Sequence, residues 1–154
     1  MAETDELLEE TMALIPPLLN GIEVLSYAGR HMHPPDLHSL VESVKPYREP
    51  LKDGIEVFDN LEWPEHLTRF RHHVRGAAEL VMQSFNELLG SINQSQPPMA
   101  AYRAIGLNTK ASEMLYPVST MLPPVSRFFL DPEKRQETAL LKKLADADAN
   151  RENL

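Results

Sequence analysis

The chain has no cysteine in its 154 residues. That removes disulfides, thiolate metal sites and thiol nucleophiles together, and it fits a reducing compartment. Positive charge is scarce as well: 15 lysines and arginines face 23 aspartates and glutamates, a net charge of -8. General nucleic-acid binding needs a basic face to displace counterions, so that class is not expected. No uninterrupted apolar run approaches the ~18 residues of a membrane span. The N-terminus, Ala2-Glu3-Thr4-Asp5-Glu6, is acidic where a secretory signal would be basic, so the sequence predicts a cytoplasmic protein without a membrane span.

Glycine is scarce too, with six in the chain. No Gly-x-Ser-x-Gly nucleophile elbow is present, nor a phosphate-cradling Gly-x-x-x-x-Gly-Lys loop, nor a dinucleotide fingerprint. His-Glu-x-x-His is missing, and so is the Glu-x-x-His pair that helical di-iron sites draw from two helices. No cofactor is therefore predicted, and no catalytic residue.

What is present is helical periodicity. With 42% apolar and 25% charged residues the composition is that of an ordinary globular domain. At this length about 68–70% of the unfolded chain's surface can be buried. Leu67, Phe70, Val74, Ala77, Val81, Phe85, Leu88 and Ile92 recur in steps of three and four, predicting a helix over 64–93 that opens on Pro64. Leu8, Met12, Ile15, Leu19, Ile22 and Leu25 predict another over 4–30, interrupted at Pro16-Pro17. A third spans 36–60, bent by Pro46 and Pro50 and weakened at Gly54. A fourth begins at Pro98 with Ala101, Tyr102, Ile105, Met114, Leu115, Val118, Met121 and Leu122 as its apolar face. It is loosened at Gly106-Leu107-Asn108-Thr109 and broken at Pro117 and Pro123-Pro124. Asp131-Pro132-Glu133 has the form of a helix start, with Leu140, Leu141 and Leu144 following.

No segment reads as a strand. The predicted fold is all-α: an up-down antiparallel four-helix bundle with proline-kinked helices over 1–130. A shorter amphipathic helix and tail over 131–154 belong to the same domain.

The histidines are the candidate metal ligands. His31, His33 and His38 lie near the first loop, and His38 and Glu42 are one helical turn apart, where both could reach one ion. His66, His72 and His73 lie at the start of the helix over 64–93. In an antiparallel bundle His38 and His72 differ in height by roughly 20 Å, so the six cannot form one site.

Arg69-Phe70-Arg71-His72-His73-Val74-Arg75 is a basic patch on an acidic chain. Arg69, His72 and His73 flank the core stripe and are candidate contacts to an acidic partner. The plainer alternative is a solvated face laced by pairs such as Glu65–Arg69 and Arg75–Glu79. Trp63 precedes the best helix and is expected to staple it to the core. Phe128 and Phe129 are adjacent and cannot both enter one helix stripe, which leaves one for a partner or domain contact.

Three stretches together resemble the helical region that precedes the catalytic domain in bacterial phospholipase/carboxylesterase-like proteins of the α/β-hydrolase class. They are Arg30-His31-Met32-His33-Pro34-Pro35-Asp36-Leu37, Trp63-Pro64-Glu65-His66-Leu67, and Leu115-Tyr116-Pro117 through Leu122-Pro123-Pro124-Val125-Ser126-Arg127-Phe128-Phe129-Leu130. The resemblance implies ester hydrolysis by a serine in a later domain, and it carries no catalytic residue onto this chain. The expected function is a non-catalytic helical module that packs against a protein partner, an adjoining domain or a second copy of itself. The alternative is a stand-alone bundle holding a metal ion, or a small apolar ligand among Met12, Met82, Met114 and Met121.

Overall fold

The computed structural model describes residues 2–30, 37–90 and 97–130. Among these all regular structure is helical. Helix α1 (Ala2–Glu10) leads through a 3₁₀ turn at Thr11–Ala13 into α2 (Ile15–Arg30). Helix α3 (Leu37–Val44) leads through Lys45–Tyr47 into α4 (Arg48–Asp59). After a 3₁₀ turn at Glu65–Leu67 come α5 (Thr68–Gly90) and α6 (Pro97–Leu115); the 3₁₀ stretch Tyr116–Met121 then joins α6 to α7 (Pro123–Leu130). The helix predicted over 131–147 lies outside the described residues.

Proline positions explain most of the segmentation. The break in the first long segment falls at residues 11–14, ahead of Pro16-Pro17. Both prolines sit in the first turn of α2, where backbone N–H groups have no helical partner to lose. Pro50 likewise occupies the first turn of α4, whereas Pro46 lies inside the 3₁₀ turn. Pro64 differs from expectation by one position. Its backbone is extended (φ -70°, ψ 155°), so it caps the turn from outside, and its carbonyl accepts the Leu67 N–H at 3.0 Å. Residues 106–109 do not loosen α6, which runs through them unbroken.

Pairwise contacts give the directions of the helices. Arg48 meets Asn86 and Asp59 meets Arg75, so α4 and α5 are antiparallel. Gly76 lies against Met114, Ser84 against Ala104 and Glu87 against Arg103, so α5 and α6 are antiparallel too and form the most extensive helix pair. Helix α2 touches α4, α5 and α6. Their shared interior holds Leu14, Leu18, Leu51, Phe58, Phe70, Val81, Phe85 and Leu115, all fully or almost fully buried.

Close approach depends on glycine at two of these seams. A Cβ on Gly21 would stand 2.9 Å from Val81 Cγ1 and 3.2 Å from the Phe85 ring. One on Gly54 would stand 2.6 Å from the Ala13 carbonyl oxygen. Two buried polar residues bond across helix seams: Ser84 on α5 donates to the Ala104 carbonyl on α6 (2.7 Å), and Asn108 on α6 donates from Nδ2 to the Ile22 carbonyl (3.1 Å) and to Ser26 Oγ (3.0 Å) on α2.

Candidate functional site

The sequence offers three candidate sources of function: the histidines, the basic patch and the aromatics. The first histidine group falls mostly outside the described residues, which include neither His31 nor His33. His38 and Glu42 are both on α3, one turn apart, and the Glu42 side chain is exposed. Helix α3 leads into α4 at the end where Arg48 meets Asn86. His66, His72 and His73 belong to the other end, where Asp59 meets Arg75. Among the described residues no three metal-donor side chains come together.

His73 has a specific partner. Its Nδ1 lies 2.7 Å from the Met114 carbonyl oxygen. A carbonyl can only accept, so Nδ1 carries the proton and Nε2 is left as the basic nitrogen of the neutral ring. The need for this bond lies in the sequence: Pro117 has no N–H to offer the carbonyls one turn before it, just where α6 tightens into the 3₁₀ stretch. His73 thus supplies from α5 a donor that proline removes from α6, and the half-buried ring fastens the two helices together.

Arg69 and His72 are exposed, and the His72 ring meets the His73 ring edge-on at 5.6 Å. An open groove of about 550 Å³ runs along this face, bounded by Thr68, Arg71, His72, Arg75, Gly76 and Glu79. Arg75 is committed to acids of its own chain, with Nε 2.8 Å from Asp59 and an Nη 3.0 Å from Glu79. Partial burial of Arg75 pushes its pKa down. The hydrogen bonds and charges of Asp59 and Glu79 outweigh that and raise it above the usual arginine value. The Arg75–Glu79 pair expected from sequence is therefore present, joined by Asp59 from α4. Arg71 and His72 border the groove as well, and Arg71 is an exposed cation there.

The aromatics are divided between core and surface. Trp63 packs on Phe58 (4.9 Å between centroids) and Phe70 (5.8 Å), which pins the start of α5 to the end of α4. Phe128 is 7% exposed and belongs to the core. Phe129 is half-buried and lies edge-on to both Phe128 and Tyr116. Tyr116 itself is 57% exposed, and Met121 nearby in the chain is also exposed.

The outer face of α6 holds what the sequence reading misplaced. Tyr102 and Ile105 are exposed there, Tyr102 to 69%, together with Met99. Leu115, Val118 and Leu122 are buried as expected, but toward the N-terminal end the buried face is carried by Ala104, Asn108 and Ala111, which continue to Leu115 and Val118 in steps of four and three. That spacing was the available signal; the small and polar residues on it hid the stripe from a search for large apolar side chains.

The four methionines considered as ligand contacts differ in their surroundings. Met12 and Met121 are exposed, Met82 is partly buried, and Met114 covers Gly76. No helix among the described residues is long and apolar enough to cross a membrane. No protein-family model matches the chain, and neither does any curated protein or solved structure.

Proposed function

We propose that the protein is a non-catalytic docking module, a four-helix up-down bundle that presents an apolar corner to a partner protein or an adjoining domain. The resemblance to the helical regions of phospholipase/carboxylesterase-like proteins makes an ester hydrolase the partner we favour. The reading rests on one observation: Tyr116, Met121 and the half-buried Phe129 leave aromatic and thioether surface exposed where α6 turns into α7. Large aromatics exposed beside a well-packed anchor such as Phe128 are what interface centres are made of. The internal commitments of Arg75 and His73 support docking over catalysis, because groups tied into structural bonds are poor candidates for proton transfer.

Site-specific photocross-linking in the native host tests this. A benzophenone side chain at position 116 should give a discrete heterologous adduct, and one at the exposed Glu56 of α4 should not. Equal labelling from both positions, or none from 116, sinks the reading.

A further inference from the structure

Gly106 has no structural reason to be glycine. It sits inside α6, its φ is not positive, and a Cβ built on it would meet nothing within 4 Å. Glycine in a helix interior costs about 1 kcal/mol relative to alanine. The other interior glycines that lie at helix seams, Gly21, Gly54 and Gly76, are each covered by a neighbouring helix. Gly106 opens instead onto the exposed face of α6 and onto an open groove between α5 and α6, bordered by Asn86, Glu87, Arg103 and Lys110.

The surroundings of this notch are ordered by size. Met99, Gly106 and Glu113 repeat every seven residues along one face, flanked by Tyr102 on one side of the glycine and by Thr109 and Lys110 on the other. All six are exposed. Large apolar side chains therefore lie N-terminal to Gly106, and smaller or flexible polar ones lie C-terminal to it. Such a strip is complementary to its own reverse. Tyr102 precedes Gly106 by four residues and Lys110 follows it by four, which places each about 6 Å from the notch along the axis.

We propose that this face binds a second copy of the same chain, with two α6 helices crossing antiparallel about a two-fold axis at Gly106. The glycines let the backbones approach, Tyr102 of each copy lies against the Thr109–Lys110 turn of the other, and Met99 lies along the aliphatic stem of Glu113. The charges suit that arrangement. Arg103 is drawn toward α5 by Glu87 at 3.0 Å, so it does not oppose the second copy's Lys110. The Lys110 ammonium finds an aromatic face in Tyr102, a favourable cation–π arrangement. The two-fold relation makes every contact occur twice from one set of residues. This pairing does not depend on the apolar corner at Tyr116: the cross-linking experiment tests the corner, and the oligomeric state tests this face.

Sedimentation velocity of the full chain over two decades of concentration is the test, with far-UV circular dichroism as the control for folding. The wild-type chain should pass from monomer to dimer as concentration rises. Gly106→Trp should weaken dimerisation by about 100-fold or more, the scale of a lost interface centre, and Tyr102→Ser should weaken it as well. Gly106→Ala guards against misfolding of the larger variant: it should be at least as helical as wild type and still associate less tightly. A wild-type chain that stays monomeric throughout overturns the proposal. So do species larger than a dimer, or a well-folded Gly106→Ala or Gly106→Trp chain that dimerises as tightly as wild type.

Discussion

Substituting alanine at Gly54 and at Gly106 should move stability in opposite directions, although both glycines lie inside helices. At Gly54 the new Cβ would stand 2.6 Å from the Ala13 carbonyl oxygen and 2.9 Å from Leu14 Cα. Both are backbone atoms, so no rotamer change relieves the contact, and α4 has to retreat from the turn before α2. That seam is lined by Leu14, Leu51 and Ile55, whose packing the retreat would open. Overpacking of this kind costs about 1–3 kcal/mol, and the upper end applies where the obstacle is main chain. The higher helix propensity of alanine returns about 1 kcal/mol, leaving a net loss of about 2 kcal/mol. For a domain of this size each kcal/mol moves Tm by about 2–4 °C, so Gly54→Ala should melt about 4–8 °C below wild type. Gly106→Ala, measured at a dilution where the chain is monomeric, meets no atom and should melt about 2–4 °C higher. Thermal melts followed by circular dichroism and by the single tryptophan, Trp63, would report both. A Gly54→Ala chain as stable as wild type would show that the α2–α4 seam is looser than described.

Three further outcomes follow from polar groups. His73→Ala leaves the Met114 carbonyl without its donor and should lower the free energy of urea unfolding by about 1–2 kcal/mol, with His73→Gln recovering part of it. Asn108 Oδ1 is buried and has no partner among the described residues, so Asn108→Leu should leave unfolding stability unchanged or raise it by up to about 1 kcal/mol, while Asn108→Ala, which leaves a cavity, should lower it by about 2 kcal/mol. Burial raises the Tyr47 phenol above its ordinary 10.0. The folded state therefore holds that proton more tightly than the unfolded state, and the associated stability is present below pH 10 and lost as pH rises through the folded value. Melting temperatures across the alkaline range should fall for wild type and fall less for Tyr47→Phe.

Periodicity located the helices because large apolar residues recur along them: Phe70 through Leu88 mark α5 by spacing alone. Trp63 could also be assigned, since a tryptophan just before an amphipathic helix has a core edge within reach. Helix α6 was harder. Its buried face is carried by Ala104, Asn108 and Ala111, and its large side chains, Tyr102 and Ile105, turn outward. Side-chain size runs opposite to burial among those residues, so only the presence of α2 and α5 decides which face is inside. Proline was misleading where position within the helix mattered more than its presence. Pro16, Pro17 and Pro50 all sit in first turns, and the break expected at Pro16-Pro17 occurs before them. Pro117 had a consequence that local sequence could not show, because the donor that compensates for it comes from His73, 44 positions earlier and on another helix.

Helices α4 and α5 hold one another from both ends, and each supplies one arm. Arg48 reaches from the start of α4 to Asn86 on α5, and Arg75 reaches from α5 to Asp59 at the end of α4. A slip of one helical turn, about 5.4 Å, would open both contacts in the same movement. Sliding along the common axis therefore has to break both contacts together, whereas separation at one end can leave the contact at the other intact. A load applied to α4 passes into α5 as shear, and from there through His73 into the end of α6. The relative heights of α4, α5 and α6 are thus tied by three contacts, made by Arg48, Arg75 and His73.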